Sequence, residues 1–381
     1  MRHPAFPKKP RTRATHNAAA IAIPVFARMR SFVDWLEQLD PGTHRRIKGL
    51  RLVTAYGLAA AIGSLHDLAH PFGSMVAVGS LAANVALWAS VSEARHTRFE
   101  SSRDLTLLCL AATLGALMQA MLVPALAPLS RNGAEFTLVS GAFLASYLKR
   151  YGVTGAGVGS QIYIGQLLAY TMRLDASAWP SILIAGGIAA LASVVPRLLS
   201  GPAERPAELA VLSPAEIPGR WHLSAPFIMG VQAAVASLIV VLLNAKLHLP
   251  ESAWAVTACT YVVAGSATGT AQRVRRRIVG TLIGVPIGLA CLPLAEHAPL
   301  LIWLLAAVAM VIYAMALPER YDIACAAFAF TLIVTLAASG EHSVALLSAR
   351  IWQTLLGGVL GMLAAHLILP LRTAEPSAVR A

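Results

Sequence analysis

Residues 224–245 read SAPFIMGVQAAVASLIVVLLNA, twenty-two positions without a charged side chain. A helix needs about 20 such residues to cross roughly 30 Å of hydrocarbon, so this stretch is long and apolar enough to span a membrane. Working outward from it, comparable runs lie near 50–65, 73–91, 104–127, 134–148, 153–171 and 179–196 on one side. On the other side they lie near 252–270, 278–294, 298–317, 322–339 and 350–370. The composition agrees with so many spans. The 381 residues are 57% hydrophobic and 13% charged, with a mean hydropathy of +0.66. A soluble domain carries about 25% charged residues, and lipid has to cover the difference. The expected fold class is therefore all-α integral membrane, with about twelve transmembrane helices. The cysteines Cys109, Cys259, Cys291 and Cys325 fall inside apolar runs without CxxC spacing, as buried small hydrophobes do.

The formal charge of +12 is a question of topology rather than of nucleic acid, because the basic residues flank apolar runs. With both termini cytoplasmic and twelve spans, twenty-six of the 30 lysines and arginines fall on the cytoplasmic side. Only Arg131, Arg173, Lys246 and Arg350 fall on the other. A missed span would invert everything after it and scramble this pattern. The first 49 residues are basic and proline-rich, with no compact apolar core and cleavage site, so no signal peptide is expected. Within them Val25, Phe26, Met29, Phe32, Val33, Leu36 and Leu39 recur at helical spacing. That fits either an interfacial helix on the inner leaflet or a disordered tail.

The chain divides at a polar, proline-punctuated segment, 200–222. The expected organisation is a basic segment 1–49, a first six-helix half 50–199, the linker 200–222, a second half 223–371 and a tail 372–381. The halves look alike. Lys149-Arg150-Tyr151 opens the fifth run and Glu319-Arg320-Tyr321 the eleventh; Gly186-Gly187 matches Gly357-Gly358, and Gln161 falls near Thr331. Because six spans is an even number, both halves enter from the same side. They are expected to be parallel repeats, related by a pseudo-two-fold axis along the membrane normal, and a seam on that axis is where a transport pathway would run.

The most distinctive motifs lie in the second half. Trp254-Ala255-Val256-Thr257 is followed by Thr268-Gly269-Thr270-Ala271-Gln272-Arg273, by Arg276-Arg277-Ile278-Val279-Gly280-Thr281-Leu282-Ile283-Gly284, and by Arg350-x-x-Gln353-Thr354-x-x-Gly357-x-x-x-Gly361. Over about 224–372 this resembles the fusaric-acid-resistance and aromatic-acid-exporter family. That family's second half has a tryptophan-to-threonine start, a basic loop, an Arg-(Ile/Val)-x-Gly-Thr-x-x-Gly run and a closing Arg-x-x-x-Thr-x-x-Gly. Members often insert a large cytoplasmic domain between the halves; only about 25 residues stand there in this chain, so the function of that domain is not expected. The family is distantly similar to plant aluminium-activated malate channels, in which two six-span subunits pair around an anion path.

The resemblance implies a transporter of the bacterial inner membrane exporting small organic anions, aromatic carboxylic acids in particular, driven by the proton gradient. A passive organic-anion channel and a non-transporting envelope or assembly factor are the alternatives. The partners implied are the lipid bilayer, small organic anions and a periplasmic adaptor protein; no nucleic acid, cofactor or metal is expected. Candidate path residues are Arg350, Arg273, Arg276, Arg277, Gln161, Thr331 and His366, with Asp322 as a candidate for proton coupling. Each has a plainer reading. The arginines at 273–277 can be charge-rule anchors, Arg350 can pair with Glu341, and an aspartate in the first turn of a helix is ordinary. Buried polar residues such as Asn84, Gln119, Gln166, Gln232 and Asn244 can simply hydrogen-bond between helices. Gly280, Thr281, Gly284, Gly288, Gly357 and Gly361 are candidates for close helix packing. A major-facilitator protein should carry a Gly-x-x-x-Asp-Arg loop between spans two and three, yet Ser92 to Glu100 has neither the glycine nor the pair. Without DDxxD, HExxH or a nucleotide-binding glycine loop, no enzyme is expected.

Overall fold

A computed structural model describes residues 44–69, 77–94, 97–126, 133–200, 223–249, 252–317, 319–338, 340 and 343–371. The interfacial-helix reading of the N-terminal segment, the 372–381 tail and all of the 200–222 linker but Ser200 lie outside these residues. Apart from His44 and Arg45, the described residues belong to one compact unit, Arg46–Ala381.

The described residues form helices joined by short turns, with no strand among them. The first half contains α1 (His44–Ala69), α2 (Val78–Ser92), α3 (Arg98–Leu126), α4 (Phe136–Tyr147), α5 (Gly152–Thr171) and α6 (Trp179–Leu199). The second contains α7 (Ala225–Leu247), α8 (Ala253–Val262), α9 (Ala267–Ala290), the single short turn α10 (Leu292–His297), α11 (Pro299–Ala316), α12 (Tyr321–Ala338) and α13 (Val344–Leu367). Seven of these helices are long and apolar enough to cross a membrane. Large hydrophobic side chains such as Leu65, Leu110, Leu191, Leu242 and Leu304 point outward along them. A water-soluble surface does not carry an apolar belt of this extent, so the chain is a multi-pass membrane protein.

Each apolar run of the sequence meets a helix, but two expectations are corrected. The run 252–270 is not one continuous helix. Helix α8 stops at Val262, residues 263–266 break the path, and α9 starts at Ala267. Local hydrogen bonds make the break: Ser266 Oγ accepts from the Gly269 amide at 3.0 Å, and Thr270 Oγ1 accepts from the Ala264 amide at 3.0 Å. The arginines at 273–277 therefore stand on a helix rather than in a basic loop, a placement suited to a strong helix former. The second correction concerns Arg350. Helix α13 begins at Val344, which leaves Arg350 nearly two turns, about 9 Å, inside the helix instead of at its start.

Small residues set the packing. Alanines dominate the buried core, and several helix pairs meet where a glycine removes the side chain between backbones. An added Cβ at Gly115 would run into the Ile162 carbonyl, at Gly165 into that of Ala112, and at Gly284 into that of Ala326. Among lipid tails, which are as apolar as leucine, such close van der Waals contact is what holds helices together.

The pairing follows a pattern. In the first half α3 packs on α5 and α6, α4 on α5, and α2 on α6. In the second half α9 packs on α12 and α13, α11 on α12, and α8 on α13. Between the halves, α7 lies on α4, where Gly230 faces the Phe143 ring, and α1 touches α11, where Gly49 faces Val311 and Tyr56 meets Trp303. One hydrophobic core runs through both halves, joining Leu138, Tyr163 and Leu167 to Ala233, Val240 and Cys259. Basic side chains collect at one end of the bundle. There Lys48 Nζ donates to the Glu93 carbonyl at 2.5 Å, Arg98 Nη1 to the Leu198 carbonyl at 3.3 Å, and Arg276 Nη1 to the Glu319 carbonyl at 3.1 Å.

Candidate functional site

Where the halves face each other, the seam is lined by aromatic and hydroxyl side chains. Ser160 Oγ and Tyr261 OH are 2.8 Å apart, as are Tyr163 OH and Thr257 Oγ1, and each pair joins α5 to α8. The rings of Tyr163 and Tyr261 meet edge to face at 5.8 Å. Trp88, from α2, reaches the rings of Phe328 on α12 and Tyr313 on α11 at 5.4 and 6.3 Å. These contacts close the seam in the conformation described. Gln161 helps to place Trp88. It is fully buried and its Nε2 donates to the Trp88 carbonyl at 2.8 Å and to Ser92 Oγ at 2.9 Å.

The basic end of the seam is built by α9. Ser266 caps its start, and spacing of four residues puts Arg273 and Arg277 on one face, whereas Arg275 points outward. Arg277 Nη1 donates to Tyr321 OH at 3.2 Å, and its Nε is buried without a partner among the described residues. Tyr261, Tyr313 and Tyr321 all stand close enough to interact with this guanidinium. Arg273 donates to the Val263 carbonyl at 3.3 Å and faces Lys149, from the turn between α4 and α5. Burial, and next the Arg273 charge, push the Lys149 ammonium down to about 8. The two halves thus bring cations together beside an aromatic seam, with one guanidinium donor without a partner among the described residues. A planar carboxylate carried on an aromatic ring matches both features: Arg offers it parallel donors and the rings offer stacking surface.

The remaining residues singled out from the sequence are not all assembled there. Arg276 binds the Glu319 carbonyl on the exposed basic end. Arg350, 8% exposed, lies over the Trp254 ring with its guanidinium carbon 3.6 Å from the centroid, a contact inside the second half and at the opposite end. Glu341, its candidate partner, lies outside the described residues. Thr331 Oγ1 is buried on α12 without a partner among them. His366 is exposed and its Nδ1 is 2.8 Å from the Met362 carbonyl of its own helix. Asp322 makes a two-pronged pair with Arg320, at 3.2 and 3.3 Å, on the basic end.

Gly280 and Gly284 bring α9 against the α12 backbone, Gly288 meets Ile333, and Gly357 and Gly361 bring α13 against α8. Thr281 is buried on the same helix as the first three. The polar residues at depth bind across helices: Gln119 Nε2 donates to the Ala134 carbonyl and Gln232 Nε2 to the Ile368 carbonyl, both at 2.8 Å. Among the described residues no three His, Cys, Asp or Glu gather as a metal site.

Reading for charges missed Trp88, Tyr163, Tyr261, Tyr313 and Lys149. Aromatic residues interrupting alanine-rich runs were the available signal, but periodicity does not say which ring meets which half.

Residues 218–364 match the family model described as fusaric acid resistance protein-like. No curated protein and no solved structure matches the chain.

Proposed function

We propose, taking residues 218–364 as a fusaric acid resistance protein-like region, that this membrane protein exports small organic anions, aromatic carboxylates in particular, along the seam between its halves. The observation that carries the reading is Arg277, a half-buried arginine whose Nε is buried without a partner among the described residues, set among three tyrosines at the basic end of an aromatic seam. Lys149 and Arg273 draw the anion in by electrostatic focusing. The guanidinium then binds the carboxylate, and separation of the stacked rings lets the aromatic body pass between the halves.

In this reading the chain has twelve spans as two parallel repeats. The matching helix pairs support it, α3·α5 with α9·α12 and α2·α6 with α8·α13, together with the exchanged contacts of α7 on α4 and α1 on α11. The basic end faces the cytoplasm of a bacterial inner membrane, as the charge rule requires, and both termini lie on that side. The proton gradient supplies the driving force, no chemical step is catalysed, and an adaptor protein on the far side of the membrane receives the anion.

The test is uptake of labelled aromatic carboxylates by proteoliposomes, with and without an imposed pH gradient. Accumulation that follows the gradient and falls in Arg277→Gln supports the reading. Equilibration that ignores the gradient makes the protein a channel, and absence of flux across a panel of organic anions overturns transport altogether.

A further inference from the structure

The end of the seam opposite Arg273 and Arg277 holds a group that the anion path does not use. Glu135, in the short turn leading into α4, is 2% exposed although it is a carboxylate. Its Oε1 accepts three hydrogen bonds: from Tyr170 OH at 2.6 Å, from Asn244 Nδ2 at 2.7 Å and from Ser252 Oγ at 2.5 Å. Tyr170 belongs to the first half, on α5. Asn244, on α7, and Ser252, just before α8, belong to the second. The other oxygen, Oε2, is buried and has no partner among the described residues. Glu135 also forms part of the wall of a cavity of about 420 Å³.

We propose that Glu135 is the proton-coupling carboxylate, taking up a proton on Oε2 from the cavity and returning it during the transport cycle. This rests on the reading of the protein as a driven anion transporter. A buried carboxylate normally has donors at both oxygens, because a charged oxygen left bare in a dry site forfeits its hydration without replacement. Here all three donors serve one oxygen. A proton on Oε2 removes the charge without disturbing any of them. Hydrogen bonds to a charged acceptor are roughly twice as strong as those to a neutral one, and two of the three cross from the second half. Loading and unloading the proton therefore loosens and tightens the grip between the halves, which is the motion that opening the aromatic seam requires.

Among the described residues, the charged and titratable side chains on the cavity besides Glu135 are three. Tyr170 comes from α5, and Arg173 and Asp175 from the turn that follows it. The segments α3, α7 and the approach to α8 present uncharged Gln119, Asn244 and Ser252. Asp175 accepts from the Ser177 hydroxyl at 2.5 Å and from its amide at 2.9 Å, which holds its carboxyl below the usual range, so it is poorly suited to take up the proton. Asp322 is less suited to the role because it is fixed to Arg320 at the basic end.

The test uses the full chain in proteoliposomes with labelled benzoate. Glu135→Gln keeps an acceptor for the three donors and cannot titrate. It is expected to lose gradient-driven accumulation at least about tenfold, whereas exchange of labelled for unlabelled benzoate at equal pH persists; accumulation at the wild-type level overturns the proposal. Ser252→Ala keeps the acid but removes a donor to Oε1. It is expected to move the midpoint of the pH dependence upward, because the carboxylate loses a stabilising bond, and an unmoved midpoint counts against the proposal in the same way. Should the wild type carry no benzoate, the transport reading fails separately, and infrared difference spectra between acid and alkaline pH still report on Glu135. A carboxylic-acid band present in the wild type and absent in Glu135→Gln upholds the proton site, and identical spectra remove it.

Discussion

The two ends of the seam hold charge in different ways. At one end Arg276 and Arg320 reach solvent on long stems, and even Arg277 keeps part of its surface accessible. Long basic side chains extend along apolar surface while their heads find water or carbonyls, so a membrane protein can place many of them without building anything around each. At the other end the short side chain of Glu135 is enclosed by residues from both halves beside a cavity. Glu135 has no stem with which to reach water, and the fold must supply Tyr170, Asn244 and Ser252 to keep it there. Abundant charge at a membrane boundary reports topology; a buried carboxylate held by donors from both halves reports a site.

The largest expected effect tests what holds the basic end in place. Gly284→Leu would drive a side chain into the Ala326 backbone and separate α9 from α12. Overpacking typically costs about 1–3 kcal/mol and more where backbone must move. The outcome expected is loss of the monodisperse folded peak on size exclusion in detergent. A well-folded Gly284→Leu protein would detach Arg277 from the α9·α12 contact and break the comparison at its base.

Arg277→Gln comes next. Losing a charged hydrogen-bond partner is worth about 1.5–3 kcal/mol, so initial benzoate uptake should fall by about ten- to a hundredfold while Arg276→Gln, at the solvated rim, changes it less than about threefold. Equal effects in the two variants would mean that the basic end acts only as diffuse charge.

The third prediction follows from Lys149. Its folded value of about 8 lies below the ordinary lysine value. The ammonium charge is therefore present below pH 8 and lost as the pH on that face rises through it. Uptake driven from the basic end should decline over that window, and the decline should vanish in Lys149→Gln; a decline that survives the substitution assigns it to another group. For stability the sign is opposite. A charged Lys149 is disfavoured in the fold, so this group contributes a gain as pH rises from about 8 towards the unfolded value of about 10.4.

Smaller effects are expected from the charges that have local partners. Replacing Arg350 by Leu removes its contact with Trp254, worth about 0.5–2 kcal/mol, and should lower the midpoint of thermal unfolding in detergent by a few degrees at most. Asp322→Asn breaks an exposed pair with Arg320, for which exposed pairs contribute about 0–1 kcal/mol, and should leave gradient-driven accumulation intact. Loss of accumulation in Asp322→Asn would move the coupling group to the basic end and erase the contrast between the two ends.

Much of the fold was legible in the sequence because membrane helices are local objects. The uncharged run 224–245 and the spacing of Gly280, Gly284 and Gly288 each depend on residues only a few positions apart. The 252–270 run misled because its apolarity continues across Val263 and Ala264, which are buried, while the break is made by hydroxyl hydrogen bonds that hydropathy does not register. The candidate site was legible in part. Gln161 stood out as a polar group in an apolar run, but Arg277 was one of a cluster of arginines, and Arg276 beside it carried the same signal and binds a carbonyl on the exposed end.

By itself the sequence determined that this chain is a bundle of membrane helices, where most of them start and stop, and that its second half carries the motifs of the matched family. Helical periodicity and the cost of bare backbone in lipid leave little choice in those matters. Only the tertiary structure decided which side chains meet across the seam. Glu135 and Ser252 are 117 positions apart, and Ser160 and Tyr261 are 101 apart, so their contact depends on how two halves dock. That docking is set by shape at glycine and alanine surfaces, and no local pattern of the chain records it.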